Sequence, residues 1–245
     1  MQSALEVTLR TQGEIWFASR EVGRLADTEP YFLNTALYYA FGLASGRYVD
    51  RLFEPTYLED TADVADKVYV TPATPTGSIA NRITSTYNTS TDDYATINYS
   101  AQDDPNEGRN LPSYGRRRVL GHGNELRCYV LGRGIHADQL GEEMPGYVRL
   151  GKKRGKASVE IRQLAVDDGT GEYELGHAIG AYDSAQTPVG DLITKQMRPT
   201  PLVAQGTYDG PHVALSEPTA NSGESDTDDS AVKLPADVKF LKRKR

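Results

Sequence analysis

A chain of 245 residues has enough length to bury a core without covalent staples, and its single cysteine, Cys128, excludes an intrachain disulfide and a Cys-based zinc site. No apolar run approaches the roughly 20 residues needed to cross a membrane, and the N-terminus lacks the basic and apolar regions of a signal peptide, so the expectation is a soluble, cytoplasmic protein with no membrane partner. The formal net charge is −7, from 34 acidic and 27 basic residues, but the two signs are segregated. Bases gather at 116–118, 149–156 and 239–245, acids at 59–66, 92–104 and 224–229.

Along the chain, Leu5, Val7 and Leu9 alternate with polar residues as in a half-buried strand, and Ile15-Trp16-Phe17 opens a second apolar run after Gln12-Gly13. From 30 to 43, Leu33, Ala36, Leu37, Ala40 and Phe41 recur at helical spacing. Thr28 is the expected N-cap and Pro30 suits the first turn. Between 68 and 98 the chain turns to Thr, Ser, Asn and Tyr, and the runs 82–87 and 94–99 have strand composition. They predict a protruding hairpin with its turn at 88–93. Strands follow at 117–121 and 125–131, a short helix at 135–143, and two strands around Tyr147-Arg149 and 159–164. Weaker elements lie at 189–197 and 202–208. The segment 216–230 has almost no large apolar residue and reads as a flexible acidic linker. Apolar residues return at Val232, Leu234, Val238, Phe240 and Leu241, which predicts that the C-terminus folds back onto the body.

Catalytic signatures are scarce. The chain has no phosphate-cradling Gly-rich loop with its Lys and Ser/Thr, no His-Glu metal helix and no Gly-x-Ser-x-Gly elbow, and His122, His136, His177 and His212 are scattered. No metal or cofactor is expected. The positive signal is residues 147–159, YVRLGKKRGKASV, where glycines let a backbone approach a ligand and the cations suit a phosphate backbone. Tyrosines supply stacking surfaces for unpaired bases. Arginine over lysine and aspartate over glutamate resemble the balance in cytoplasmic proteins of salt-accumulating archaea.

Residues 13–43, GEIWFASREVGRLADTEPYFLNTALYYAFGL, resemble the N-terminal block of the Cas-five-type subunit of type I-D CRISPR surveillance complexes: an aromatic strand, Arg-Glu-x-Gly-Arg, Thr-Glu, and an Asn-x-Ala-Leu helix ending in Gly-Leu. Residues 69–73 and 148–157 resemble later blocks of that family, so the likeness touches about half the chain. The Thr/Asn-rich hairpin and the acidic linker match no block. The resemblance implies an α+β fold of the RNA-recognition-motif (ferredoxin-like) type, an antiparallel sheet with a packed helix and an inserted β-hairpin thumb. It divides the chain into a body (1–66 and 114–215), a thumb (67–113), the acidic linker (216–231) and a C-terminal segment (232–245) with a basic tail. It also implies a non-catalytic subunit that binds the 5′ handle of the guide RNA beside the first backbone RAMP subunit and the large nuclease-bearing subunit. Contact with target DNA stays open. The residues expected on RNA are Arg20, Arg24, Arg116, Arg117, Arg118, Tyr147, Arg149, Lys152, Lys153, Arg154 and Lys156, with Arg82 and Tyr87 at the thumb. The alternative is a metal-independent endoribonuclease processing precursor guide RNA, with His122, His136 and Lys153 as its acid-base groups.

Overall fold

The structure is a computed structural model that describes residues 3–22, 25–46, 56–77, 81–88, 114–152, 154–218 and 231–242. In chain order its elements are β1 (Ser3–Thr11), β2 (Arg20–Val22), β3 (Leu25–Asp27), α1 (Asn34–Ala40), α2 (Tyr57–Asp60), β4 (Val68–Val70), β5 (Thr74–Pro75), β6 (Arg82–Asn88), β7 (Tyr114–Leu120) and β8 (Glu125–Gly132). They continue as α3 (Ala137–Glu142), β9 (Tyr147–Leu150), β10 (Gly155–Glu174), β11 (Ile179–Gly180), β12 (Pro188–Lys195), β13 (Leu202–Ser216) and β14 (Val232–Pro235). The protein is mostly β, with three short helices among the described residues. The helical share expected of an α+β fold is thus an overestimate, since α1, α2 and α3 span seven, four and six residues.

The main sheet is antiparallel throughout and runs β11-β13-β10-β1-β8-β4, with β9 beside β10, β5 beside β8, and β12 and β14 beside β13. β1 sits at its centre, and the pleat sends Leu5, Val7 and Leu9 to one face. There they meet Leu126, Cys128 and Val130 of β8 and are covered by Leu37, Tyr38 and Phe41 at α1 and Leu140 of α3. The opposite face is buried at one end. Ala4, Tyr69, Tyr129 and Leu131 pack against Tyr173, Tyr208, Val213, Leu215, Leu234 and Val238. The 20-residue β10 makes this possible, since residues 157–164 pair with β1 and residues 165–174 pair with β13. One strand carries the ladder from the first layer into the second, and the sheet curls over itself.

A second, four-stranded sheet runs β2-β3-β7-β6, with β3 parallel to β7. Here residues 82–88 pair with 114–120, in register from Arg82↔Leu120 to Asn88↔Tyr114, a partner that the sequence reading did not name. Residues 94–99 lie outside the described residues. The run at Ile15 is likewise no strand but a single bridge to Leu120. The helix begins at Asn34 rather than near Pro30, its cap is Leu33, and no side chain caps it. Thr28 is engaged elsewhere, since its backbone continues the β3–β7 pairing through Thr28 N–H to the Arg118 carbonyl at 3.0 Å. Its hydroxyl donates to the Phe17 carbonyl at 2.8 Å. The C-terminus folds back as expected: β14 pairs with β13, and Val238 and Phe240 are buried. Ser216, expected at the start of the linker, is the last residue of β13 and pairs with Ala165. No helix among the described residues is long and apolar enough to cross a membrane.

Candidate nucleic-acid interface

The basic loop joins β9 to β10. The alternation of β9 turns Val148 and Leu150 into the core and leaves Tyr147 and Arg149 exposed. Lys156 is the cross-strand partner of Arg149, so it shares that outer face, and its ammonium lies 3.8 Å from the centre of the Tyr147 ring. Tyr147 remains 56% exposed. The Arg149 guanidinium donates to the Arg154 carbonyl at 3.2 Å, and the Arg154 N–H donates to the Gly151 carbonyl at 3.0 Å, which holds the turn in shape. Lys152 and Arg154 are exposed, and Lys153 lies outside the described residues. The two glycines serve a different neighbour from the expected ligand. A Cβ on Gly155 would lie 2.3 Å from the Glu14 carbonyl oxygen, and one on Gly151 2.5 Å from that of Trp16. The close approach they permit is to the chain's own segment 14–16.

Trp16 connects this loop to the second sheet. The Lys152 N–H donates to the Trp16 carbonyl at 2.7 Å, the Lys152 ammonium lies 5.4 Å from the indole centre, and the Arg117 guanidinium of β7 lies 5.5 Å from it. Arg117 also donates to the Ser85 hydroxyl at 3.0 Å. Arg116 is exposed on the same strand. Cations from two sheets therefore meet around one ring.

Three of the remaining arginines share a structural partner. Asp27, 1% exposed, takes Arg82 at 2.9 Å, Arg20 at 3.2 Å and Arg118 at 3.6 Å. Arg82 donates as well to the Thr28 carbonyl at 2.7 Å, and Arg20 pairs with Glu29 at 3.1 Å. Arg24 lies outside the described residues, and of Tyr87 only the backbone is described. Asp27 and Trp16 were not among the residues expected at the RNA site from sequence. Aspartate is depleted in strands, so an Asp in β3 among arginines is the signal that marks the first.

The histidines do not converge. His122 precedes β8 and His136 follows it, which separates them by about 23 Å along that strand. His177 is buried, its Nε2–H donates to the Pro72 carbonyl at 2.8 Å, and burial pushes its pKa down to about 4. His212 packs against Tyr173, with ring centres 4.4 Å apart. Asp183 is a second buried carboxylate that sequence reading missed. It accepts from the Asn34 amide at 2.7 Å, the Tyr69 hydroxyl at 2.9 Å, the Gly180 N–H at 3.1 Å and the Leu241 N–H at 2.9 Å. Desolvation raises its pKa despite these donors. Asn34, the first residue of the Asn-x-Ala-Leu motif, is thereby tied to the C-terminal segment. Among the described residues no group of three or more His, Cys, Asp or Glu could hold a metal ion.

Residues 2–243 match the model of the type I-D CRISPR-associated protein Cas5/Csc1 family. The chain belongs to that family. It is a subunit of a type I-D CRISPR effector complex, and family membership implies guide RNA and other Cas proteins as its company. Seven chains of solved structures match it. One is similar over 84% of this chain and 85% of its own length, at 12% identity and a TM-score of 0.43: a chain of the type III-B Cmr-beta complex bound to cognate target RNA and AMPPnP. No curated protein matches.

Proposed function

We propose that this Cas5/Csc1-family chain is the non-catalytic subunit that binds the 5′ handle of the guide RNA, caps the backbone filament and helps recruit the large nuclease-bearing subunit for target DNA recognition. The observation that carries the reading is the meeting of Arg117 and Lys152 at the Trp16 ring, next to a strand pair that bears the exposed Tyr147 and Arg149 and the half-buried Lys156. Cations hold phosphates, and an exposed tyrosine offers a base a face on which to stack. The separation of His122 from His136 speaks for binding without cleavage, because acid-base catalysis needs both groups at one phosphodiester.

In this reading residues 1–66 and 114–215 are the RNA-recognition-motif-like body. Joined by β4 at the very start of the 67–113 segment, the elements β1, α1, β4, β8, α3 and β10 run strand-helix-strand-strand-helix-strand, and the four strands lie in the order β10-β1-β8-β4, the split βαβ pattern of ferredoxin-like domains. Residues 67–113 carry the thumb, entered along β6 and left along β7. Of the arginines, Arg116 and Arg117 serve RNA, while Arg20, Arg82 and Arg118 shape the base of the thumb around Asp27.

The test replaces Lys152, Lys153, Arg154 and Lys156 with Ala and measures filter binding of the guide RNA across a salt series, with circular dichroism as the folding control. Affinity falls, and the log-log salt slope flattens by about 0.7 for each phosphate of a single strand that the variant leaves unneutralised. Unchanged affinity and slope in a folded variant overturn the assignment of the loop.

A further inference from the structure

Trp16 is the single tryptophan of the chain and is 3% exposed, yet its surroundings are not those of an ordinary core residue. Its ring packs on Ala26 of β3 and Val119 of β7. Its neighbour Ile15 exchanges main-chain hydrogen bonds with Leu120 of β7 at 2.8 and 3.0 Å, and its own carbonyl accepts from Lys152 in the β9–β10 loop. Segment 14–16 is thus held between the second sheet on one side and the basic loop on the other. The glycines at 151 and 155 are the residues whose missing side chains allow that seat.

The charges make this seat more than packing. With Arg117 at 5.5 Å and Lys152 at 5.4 Å from the same centroid, the two head groups stand no more than about 11 Å apart, a distance at which like charges repel. The negative faces of the indole attract both and oppose that repulsion. One cation comes from β7, the other from the loop of the main sheet, so the ring fixes a spacing that neither element sets alone.

We propose that Trp16 is a positioning residue: it sets Arg117 and Lys152 as one two-cation site for a phosphodiester backbone and thereby couples the β6–β7 arm to the β9–β10 loop. The proposal rests on the RNA-binding reading above. The indole does not touch the RNA; it acts through the two cations, which turn from the ring toward phosphate when the strand binds. Phenylalanine keeps a weaker quadrupole at the site, and leucine keeps only apolar bulk.

Because the chain has one indole, its emission reports on this site alone. The full chain is titrated with a single-stranded oligouridylate of about eight nucleotides, within the range one such surface covers, and followed by fluorescence and filter binding together. The expected result is an emission change with the same midpoint as filter binding, largely abolished in Arg117→Ala and in Lys152→Ala. Trp16→Leu weakens binding about tenfold and Trp16→Phe recovers most of that loss. The two alanine substitutions are non-additive in the wild type, since they break one site, and additive in the Trp16→Leu chain. Emission that does not move at saturating RNA, or a Trp16→Leu chain that folds and binds like the wild type, overturns the proposal. Should Trp16→Leu fail to fold, the wild-type emission and the Trp16→Phe affinity decide it. A wild-type chain that retains no oligouridylate on the filter defeats the RNA-binding reading itself, and the proposal with it, before any substitution is made.

Discussion

Asp27 takes three of the arginines that charge alone assigns to RNA. Its carboxylate is 2% exposed, whereas the side chains of Arg20, Arg82 and Arg118 are 55%, 24% and 35% exposed, so the acid is the desolvated member and the arginines keep part of their hydration. Asp27→Asn leaves three guanidiniums around a neutral group. It should cost about 2 kcal/mol in urea unfolding, below the range for fully buried pairs because solvent screens the arginines. Arg20→Ala, at the exposed rim, should cost under about 1 kcal/mol. His177 gives a pH dependence of known sign. Its folded pKa is down to about 4 from the ordinary 6.5, so between those values the unfolded chain holds a proton that the folded chain does not. Stability is full above about pH 6.5 and falls as the pH drops toward 4, by about 3 kcal/mol. Urea midpoints at pH 7 and pH 4.5 should therefore differ less in His177→Gln than in the wild type.

At the scale of elements, the alternation in β1, β8 and β9 and the fold-back of the C-terminal strand were legible from sequence, because a period of two with a buried face leaves little choice. The extent of the helix was not. The sequence reading starts the helix at Pro30 with Thr28 as its cap, but Thr28 continues the pairing with β7 and Phe32 bridges to Ala73, and tertiary hydrogen bonds outweigh a weak local propensity. The pairing of 82–88 with 114–120 was not foreseen for a related reason: the register that buries Val119 and Leu120 lies 25 residues beyond β6, out of reach of a local pattern. The basic loop was placed correctly and its glycines were given the wrong neighbour. Gly155→Ala should lower the thermal midpoint, costing about 1–3 kcal/mol, because the Glu14 backbone has to move. Gly13→Ala meets nothing within 4 Å and should stay within about 0.5 kcal/mol of the wild type.

The whole molecule closes on its C-terminal segment. Phe240 packs against Tyr38 with ring centres 4.6 Å apart, Val238 joins the second core, and Asp183 accepts from Leu241, so residues 238–241 fasten both layers. Phe240→Ala should cost about 3–5 kcal/mol. The acidic stretch before it connects two strands already in register, Leu215↔Val232. Replacing 219–230 with a short turn should leave circular dichroism unchanged and raise stability by up to about 1 kcal/mol, since a shorter loop costs less entropy to close; failure of complex assembly in that variant would make the segment a docking surface instead. The sequence by itself determined the central strands, the basic loop, the returning C-terminus and, through the block at 13–43, the family. These depend on local periodicity, local charge and a contiguous motif. Tertiary structure alone decided which cations face a buried acid and which meet around Trp16. Arg82 and Arg118 stand 55 and 91 positions from the carboxylate they share, and Lys152 stands 35 from Arg117, and no local pattern encodes a pairing made by the curl of one sheet against another.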